Sequence, residues 1–295
     1  MTQVMKKKMR LLSPQLQAFL AVVNCKTVHG AADCLHLTQT AVTQRIRALE
    51  KQLSTCLFVR SRRGMLLTKE AEALLRYCLE VQELEGAALS SIAGIGTEKN
   101  ISLCMTGPYT IMHSRVIPRC TQVMKKFTRL LMQFDINDND NRVKSLRQGD
   151  SQLAIIEKHT LSDEMEFKEL KPEHYTLVVS SKWKHRRLRD VVKNERIIDF
   201  DPQDQMTFNY LNQFDLSDQI NQDRYFVNRT DILAAMIADG LGYGVLPVEF
   251  ARPYLGNKQL IALNSGKTYP HPLVLAWFPR HQQPDYFSAL INACE

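Results

Sequence analysis

The chain has 295 residues, enough for two domains, and an apolar content of 44%, ordinary for a globular protein. Its net charge of +7 is unevenly placed: residues 1–69 hold twelve Lys and Arg against Asp33 and Glu50, a net of +10, and the remainder carries −3. That asymmetry points to a polyanionic partner for the N-terminal quarter, nucleic acid first and an anionic membrane surface as the rival.

The seven cysteines form no C-x-x-C and no zinc-type spacing with His, which predicts reduced thiols, no metal and a cytoplasmic protein. Lys6-Lys7-Lys8 before Leu11-Leu12 imitates the start of a signal peptide. Ser13, Pro14, Gln15 and Gln17 break the apolar run, and no stretch approaches a membrane span, so no membrane association is expected.

Residues 1–10 read as a polar, basic arm. Ser13-Pro14 reads as an N-cap followed by proline at the first helical position, with Leu16, Phe19, Leu20 and Val23 as the stripe of the helix it opens. A short second helix follows from Thr27, with Ala31, Ala32 and Leu35 facing inward; adjacent alanines let another helix come close. Leu35-His36-Leu37 is the turn, and Thr38 caps a third helix. In that helix Val42, Ile46, Leu49 and Leu53 form an apolar stripe, and Thr40, Thr43, Arg47 and Lys51 form a polar one, with Gln39 one turn before Thr43. The polar side has no acidic residue before Glu50 and offers amides, hydroxyls and the guanidiniums of Arg45 and Arg47. These are the groups that bond base edges and phosphates in double-stranded DNA. Two short helices joined this way form a helix-turn-helix, whose second helix enters the major groove N-terminus first, so Gln39, Thr40 and Thr43 are the candidate base readers.

Two β-prone runs, Leu57–Arg60 and Met65–Thr68, flank Ser61-Arg62-Arg63-Gly64 and predict a hairpin whose Arg60, Arg62 and Arg63 contact phosphate or minor groove. Thr68 caps a long helix to about residue 92, where Leu74, Tyr77, Val81, Leu84 and Ala88 make a heptad-like seam fit for dimerisation or for packing on the chain's own second domain. Gly94-Ile95-Gly96 reads as a hinge. From residue 99 strands and helices alternate, which predicts a mainly parallel α/β architecture with its ligand at strand carboxyl ends and helix N-termini.

This order resembles the LysR-type transcriptional regulators along essentially the whole chain. The residues that carry the resemblance are Ala31-Ala32 with Leu35, Thr38-Gln39-x-Ala41-Val42-Thr43, Ile46-x-x-Leu49-Glu50, Leu57-Phe58-x-Arg60-x-x-Arg63, Leu67-Thr68 and Gly240–Pro247. TQTAVTQRIRALE is most similar to the branch that senses arginine and lysine. The resemblance implies a winged helix-turn-helix over 1–69, a linker and dimerisation helix with hinge over 70–96, and over 97–295 an α/β, two-lobed effector domain like a periplasmic binding protein. It also implies a homodimer or homotetramer, RNA polymerase as a further partner, a small-molecule effector, and no cofactor or catalytic residue. Base contacts would come from Gln39, Thr40 and Thr43, and backbone or minor-groove contacts from Arg60, Arg62 and Arg63. The chain departs from the family pattern at Ser54, where glycine usually follows the recognition helix, at Glu72, and at Gln152, where Asp is frequent.

For a basic amino-acid effector, Thr106, Gly107 and Thr110 after the first strand are the candidates for the α-carboxylate. Asp135, Glu157, Asp201 and Asp231, with Asp138 and Asp199 nearby, are the candidates for the basic side chain.

Two other function classes compete. A two-lobed solute-binding protein shares the fold but lacks a use for the basic head. An enzyme would need a motif such as G-x-S-x-G, H-E-x-x-H or a P-loop, and none occurs. Gly240-x-Gly242-x-Gly244 follows a helix and runs into Val-Leu-Pro, the reverse of a dinucleotide loop, and predicts tight packing at a helix-to-strand turn.

Overall fold

The computed structural model describes residues 12–61, 64–92, 100–137, 141–218 and 220–294. The N-terminal arm, Arg62, Arg63, the Gly94–Gly96 hinge and Asp138 lie outside them, as does the Ala88 side chain.

The head is built from α1 (Pro14–Cys25), α2 (Val28–Leu35), α3 (Gln39–Leu53), a hairpin of β1 (Phe58–Ser61) and β2 (Gly64–Leu67), and α4 (Lys69–Ile92). Each helix starts where a hydroxyl can accept a free first-turn N–H: Ser13 from Leu16, Thr27 from Gly30, Thr38 from Ala41 and Thr68 from Ala71. Phe19, Val22, Ala31, Ala32, Val42, Ile46 and Leu49 are buried together, so the apolar stripes of the first three helices share one core. Glu50 accepts the Leu57 N–H at 2.9 Å, and Thr68 donates to the Cys56 carbonyl at 2.8 Å. These two side chains satisfy backbone groups on either side of the hairpin and fix where it leaves the core. Ser54 ends α3 in the left-handed region at φ 53°, so the serine accepts backbone strain that glycine would avoid.

On α4, Ala71, Leu75 and Cys78 face the head's core, while Tyr77 and Leu84, one heptad apart, are 56% and 60% exposed. Arg76 of the same helix pairs with Glu164 at 3.0 Å and lies 3.8 Å over the Phe278 ring, which ties the helix to the C-terminal domain.

That domain opens with β3 (Ile101–Gly107). The chain then runs through α5 (Tyr109–Ile111), a π-turn over Met112–Val116 and α6 (Ile117–Lys126), and returns as β4 (Leu130–Ile136), α7 (Asn141–Arg147), β5 (Leu153–Glu157) and β6 (Glu166–Glu169). It crosses to a second lobe comprising β7 (Glu173–Ser180), α8 (Leu188–Asn194), β8 (Ile197–Asp199), α9 (Met206–Gln213), β9 (Arg224–Phe226), α10 (Thr230–Asp239), β10 (Gly244–Pro247), α11 (Val248–Gly256), β11 (Leu260–Ala262) and β12 (Thr268–His271). It crosses back as β13 (Leu273–Trp277) and ends in α12 (Asp285–Ala293).

The first lobe's sheet has the order β4-β3-β5-β13-β6, and in the second β7 carries β10 on one side and β11 and β12 on the other. The expected mainly parallel sheet is corrected here. β3 pairs in parallel with β4 and β5, and β8 with β9, but β13 and every neighbour of β7 are antiparallel. The cause is the double crossing: a strand that returns from the other lobe enters the first sheet in the opposite sense.

Two sequence features prove structural. A Cβ at Gly242 would stand 2.4 Å from the Arg196 carbonyl oxygen and one at Gly244 2.6 Å from that of Ile198, so these glycines let β10 close against β8. Gln152 accepts the Cys104 N–H at 2.8 Å and donates to the Gly149 carbonyl at 2.9 Å, bracing β5 against β3 without reaching a ligand.

Candidate DNA-binding face and effector cleft

Burial of Val42, Ile46 and Leu49 turns the opposite side of α3 to solvent. Thr40 and Arg47 are exposed on that side and Thr43 is half-buried at its flank; Gln39, exposed in the first turn, stands one turn before Thr43. With about 100° between successive residues, Arg45 falls on the other flank, roughly 160° round the cylinder from Thr43, and it is half-buried. Arg45 therefore does not share the face of Gln39, Thr40, Thr43 and Arg47. Arg60 is exposed on β1, whose register Ser61↔Gly64 closes the hairpin. Gly64 has φ +107°, and a Cβ there would stand 2.6 Å from the Lys26 carbonyl oxygen; the Met65 N–H donates to that same oxygen at 2.9 Å. The hairpin is thus anchored at the end of α1, with Arg60 exposed. The Gln39 amide Nε2 lies 3.0 Å from His29 Nδ1 of α2.

Between the two lobes of the C-terminal domain is a cavity of about 640 Å³. The first lobe contributes Tyr109 at the start of α5 and Ile136 and Asn137 at the end of β4. The second contributes Phe200 and Asp201 just after β8, and Asn228, Arg229, Thr230 and Asp231 where α10 begins. Arg229 forms a bidentate pair with Asp231, Nε to Oδ1 at 3.0 Å and Nη2 to Oδ2 at 2.7 Å, and the guanidinium's bonds hold the Asp231 carboxyl below its usual range. Asp201 uses Oδ1 to accept the N–H groups of Gln203 and Asp204 at 2.7 and 2.9 Å; its other oxygen takes no part in those bonds. Across the lobes, Arg115 pairs with Glu249 at 2.7 Å.

Comparison with known proteins follows this division of the chain. Residues 14–72 match the bacterial regulatory helix-turn-helix protein, lysR family, and residues 98–295 match the LysR substrate binding domain. The chain belongs to the LysR family. It is a DNA-binding transcriptional regulator modulated by a small ligand, and the head sets aside the solute-binding reading. Among the relatives of this LysR-family chain, the HTH-type transcriptional regulator LysG of Mycobacterium tuberculosis is 25% identical over 261 residues, 85% of this chain and 83% of LysG. HdfR of Salmonella newport is 30% identical over 165 residues, 56% of this chain and 59% of HdfR. ArgP from Mycobacterium tuberculosis superposes with a TM-score of 0.79 at 23% identity, and LysG from Corynebacterium glutamicum with bound effector Arg at 0.74 and 20%, each pair covering 96% of both chains. These two structures share the fold.

Within the regulator's cleft, Asp201 and Asp231 are the sequence-derived effector residues that line the cavity among the described residues. Thr106 is fully buried and donates to Asp135 Oδ2 at 3.1 Å, so its hydroxyl is committed to that carboxylate. Gly107 is buried against Met112, whose Sδ would lie 2.8 Å from a Cβ there. Thr110 is 7% exposed. Glu157 faces His271 at 3.5 Å and His159 at 3.2 Å, where the chain crosses between lobes; bonding to His271 holds its carboxyl low. Strand-end position alone does not separate carboxylates that line the cleft from those that do not.

Sequence reasoning missed Tyr109, Asn137 and Arg229. The signal for Arg229 was available: an anionic group on the ligand calls for a cation, and Arg229 stands two residues before the selected Asp231. Within the basic run Lys182–Arg187, Arg186 turns to its own lobe, 4.7 Å over the Trp183 ring and paired with Glu195. All seven cysteines are free; Cys78, Cys104, Cys120 and Cys294 are buried, whereas Cys34 and Cys56 are exposed.

Proposed function

We propose that the regulator's effector is a basic amino acid, arginine first and lysine second, held in the cleft by Asp201 and the Arg229–Asp231 pair. The observation that carries this reading is the charge of the cavity wall. Asp201 and Asp231 against Arg229 leave an excess of one negative charge, complementary to the net charge of +1 on free arginine or lysine. Arg229 can turn to an α-carboxylate and release Asp231 for the ligand's cation, while Asp201 keeps an oxygen for a guanidinium or ammonium. The LysG structure with bound effector Arg supports the choice. Calorimetry on the full chain is expected to show arginine and lysine binding and neutral amino acids failing. Asp201→Asn should weaken arginine by about 2 kcal/mol through loss of a charged hydrogen bond. Binding of a neutral or aromatic amino acid alone would overturn the assignment.

In the head, Gln39, Thr40 and Thr43 read base edges, and Arg47 and Arg60, with Arg62 and Arg63, hold the DNA backbone or minor groove. Gln39→Ala and Thr43→Ala should each cost specific binding about 1–3 kcal/mol and random DNA less. Fluorescence anisotropy on both duplexes checks this; equal losses on the two would remove the residue from base readout.

Residues 1–69, 70–96 and 97–295 are the functional divisions. The exposed Tyr77 and Leu84 of α4 are the seam of a homodimer, or of a homotetramer built from two of them. The protein acts in the cytoplasm, without catalysis of its own, and RNA polymerase is its further partner. No helix among the described residues is long and apolar enough to cross a membrane.

A further inference from the structure

Three side chains that are not needed for the head's core line up beside the recognition helix. Thr27 caps α2, which places His29 in its first turn and Asp33 one turn later on the same side. Gln39 is the first residue of α3. His29 Nε2 faces Asp33 Oδ2 at 3.6 Å, and His29 Nδ1 lies 3.0 Å from Gln39 Nε2. The His29 and Asp33 side chains are 73% and 69% exposed, so burial does not explain their alignment. Thr40 and Thr43 continue the same surface along α3.

We propose that His29, oriented by Asp33, is a positioning residue that fixes which edge of the Gln39 amide faces DNA, and so sets the base preference at the position Gln39 reads. The inference rests on the reading that Gln39 contacts a base.

The argument is one of donors and acceptors. At 3.6 Å the Asp33 carboxylate stands beyond hydrogen-bond distance, but its negative charge favours the imidazole tautomer that carries hydrogen on the nitrogen facing it, Nε2. In a neutral imidazole the other nitrogen, Nδ1, is then an acceptor. Nδ1 takes one N–H of the Gln39 amide, which commits Nε2 of Gln39 to the ring side. What remains for DNA is Oε1 as acceptor and the second N–H as donor. Adenine presents the complement in the major groove, a donor at N6 beside an acceptor at N7. Guanine presents two acceptors there, O6 and N7, which repel Oε1. Were Nδ1 a donor instead, Oε1 would turn to the ring, both N–H groups would face the groove, and guanine would fit. The carboxylate of Asp33 thus selects adenine over guanine through two intervening side chains.

The test uses the full-length protein and a randomised duplex library, with bound and unbound fractions sequenced for wild type, Gln39→Ala, His29→Ala, Asp33→Asn and Asp33→Glu. Wild type is expected to enrich adenine over guanine at one position of each half-site, the position whose preference Gln39→Ala erases. His29→Ala and Asp33→Asn should cut that adenine-to-guanine ratio by about tenfold, within the range of one bidentate base contact, and leave the other positions unchanged. Asp33→Glu keeps a carboxylate on the same side of α2 and should restore the ratio. If Gln39→Ala erases the preference while His29→Ala leaves it intact, the positioning role is overturned and base readout by Gln39 stands. If Gln39→Ala alters no position, base readout fails and the inference falls with it. A uniform loss for His29→Ala across all sequences would make His29 a backbone contact, which also overturns the proposal.

Discussion

Arg224→Ala is expected to destabilise the second lobe by about 3–5 kcal/mol, the cost of leaving a buried charge without its partner. Arg224 donates through Nη1 to Asp199 Oδ2 at 3.1 Å and to the Asp204 carbonyl at 3.0 Å, and through Nη2 to the Pro202 carbonyl at 2.9 Å. Its guanidinium also lies over the rings of Phe208 and Phe226. The Asp199 side chain is 1% exposed. Burial pushes the Asp199 carboxyl up to about 6, with the charge of Asp204 adding to it; the bonds from Thr207 and Arg224 offset only part of the rise.

The sign follows from that shift. A carboxyl whose pKa is higher in the folded state contributes stability that is full below its unfolded value, near 3.8, and is lost as pH rises through about 6. Without Arg224 the folded pKa rises further, because an opposing interaction is gone. The penalty of Arg224→Ala is therefore smallest near pH 5, where Asp199 can take up a proton, and complete by pH 8. Urea titrations at the two pH values check this; a loss of equal size at both would mean that Arg224 acts through ring packing rather than charge. The same side chain pins the carbonyls of residues 202 and 204, which flank the turn that presents Phe200 and Asp201 to the cleft. Arginine affinity should fall with stability in this variant.

What could be read from sequence follows the range of the interactions involved. The head is held by local signals: a capping hydroxyl three residues before the N–H it accepts, a stripe stepping by three and four, and a glutamate seven residues from the amide it satisfies. Each is visible in a short window, and so the helix-turn-helix and hairpin stand where their residues indicate. The second lobe is held by β7, whose partners lie up to about a hundred residues away in the chain. Periodicity does not encode which strand pairs with which, so the sense of the sheets was misjudged.

The cleft divides in the same way. Asp201 and Asp231 sit at a strand end and a helix start, where the fold exposes its ligand site, and both reach it. Asp135 occupies an equivalent place in sequence, but Thr106 on the adjacent strand has already engaged it. Whether a carboxylate is free for a ligand depends on a neighbour that sequence spacing does not name. His29 and Gln39 make the same point in the head, since ten residues and a turn separate a contact that neither helix's own pattern suggests.

The second large effect lies where the chain crosses between lobes. Glu173 begins β7 immediately after the first crossing, and His271, its register partner, ends β12 immediately before the second. Glu173 is 3% exposed; Oε2 accepts from the Tyr175 hydroxyl at 2.9 Å, and Oε1 is buried without a hydrogen-bond partner. Around it stand His271, which faces Glu157, and Arg115, which donates to the Lys171 and Pro172 carbonyls of the first crossing and pairs with Glu249. Burial would by itself raise the Glu249 carboxyl, but the bonds from Arg115 and Ser114 hold it low, so Arg115 is largely committed there. Glu173 has no comparable partner. Burial pushes its carboxyl up to about 7, against Tyr175, His271 and Arg115, with Glu249 adding to the rise.

Raised from 4.5 to about 7, this group contributes stability that is full below pH 4.5 and is lost as pH rises through 7. At about 1.4 kcal/mol per pH unit the loss approaches roughly 3 kcal/mol. Glu173→Gln carries the neutral form at every pH. It is expected to match wild type near pH 5, to exceed it by most of that amount at pH 8, and to flatten the fall of melting temperature between. Asp199 titrates in an overlapping range, so the comparison is made in an Asp199→Asn background, where the remaining slope belongs to Glu173. If that slope survives Glu173→Gln, another group titrates and the Glu173 carboxyl is not the source of the loss. If it disappears, deprotonation of one buried side chain acts directly on the joint between the lobes that enclose the cleft.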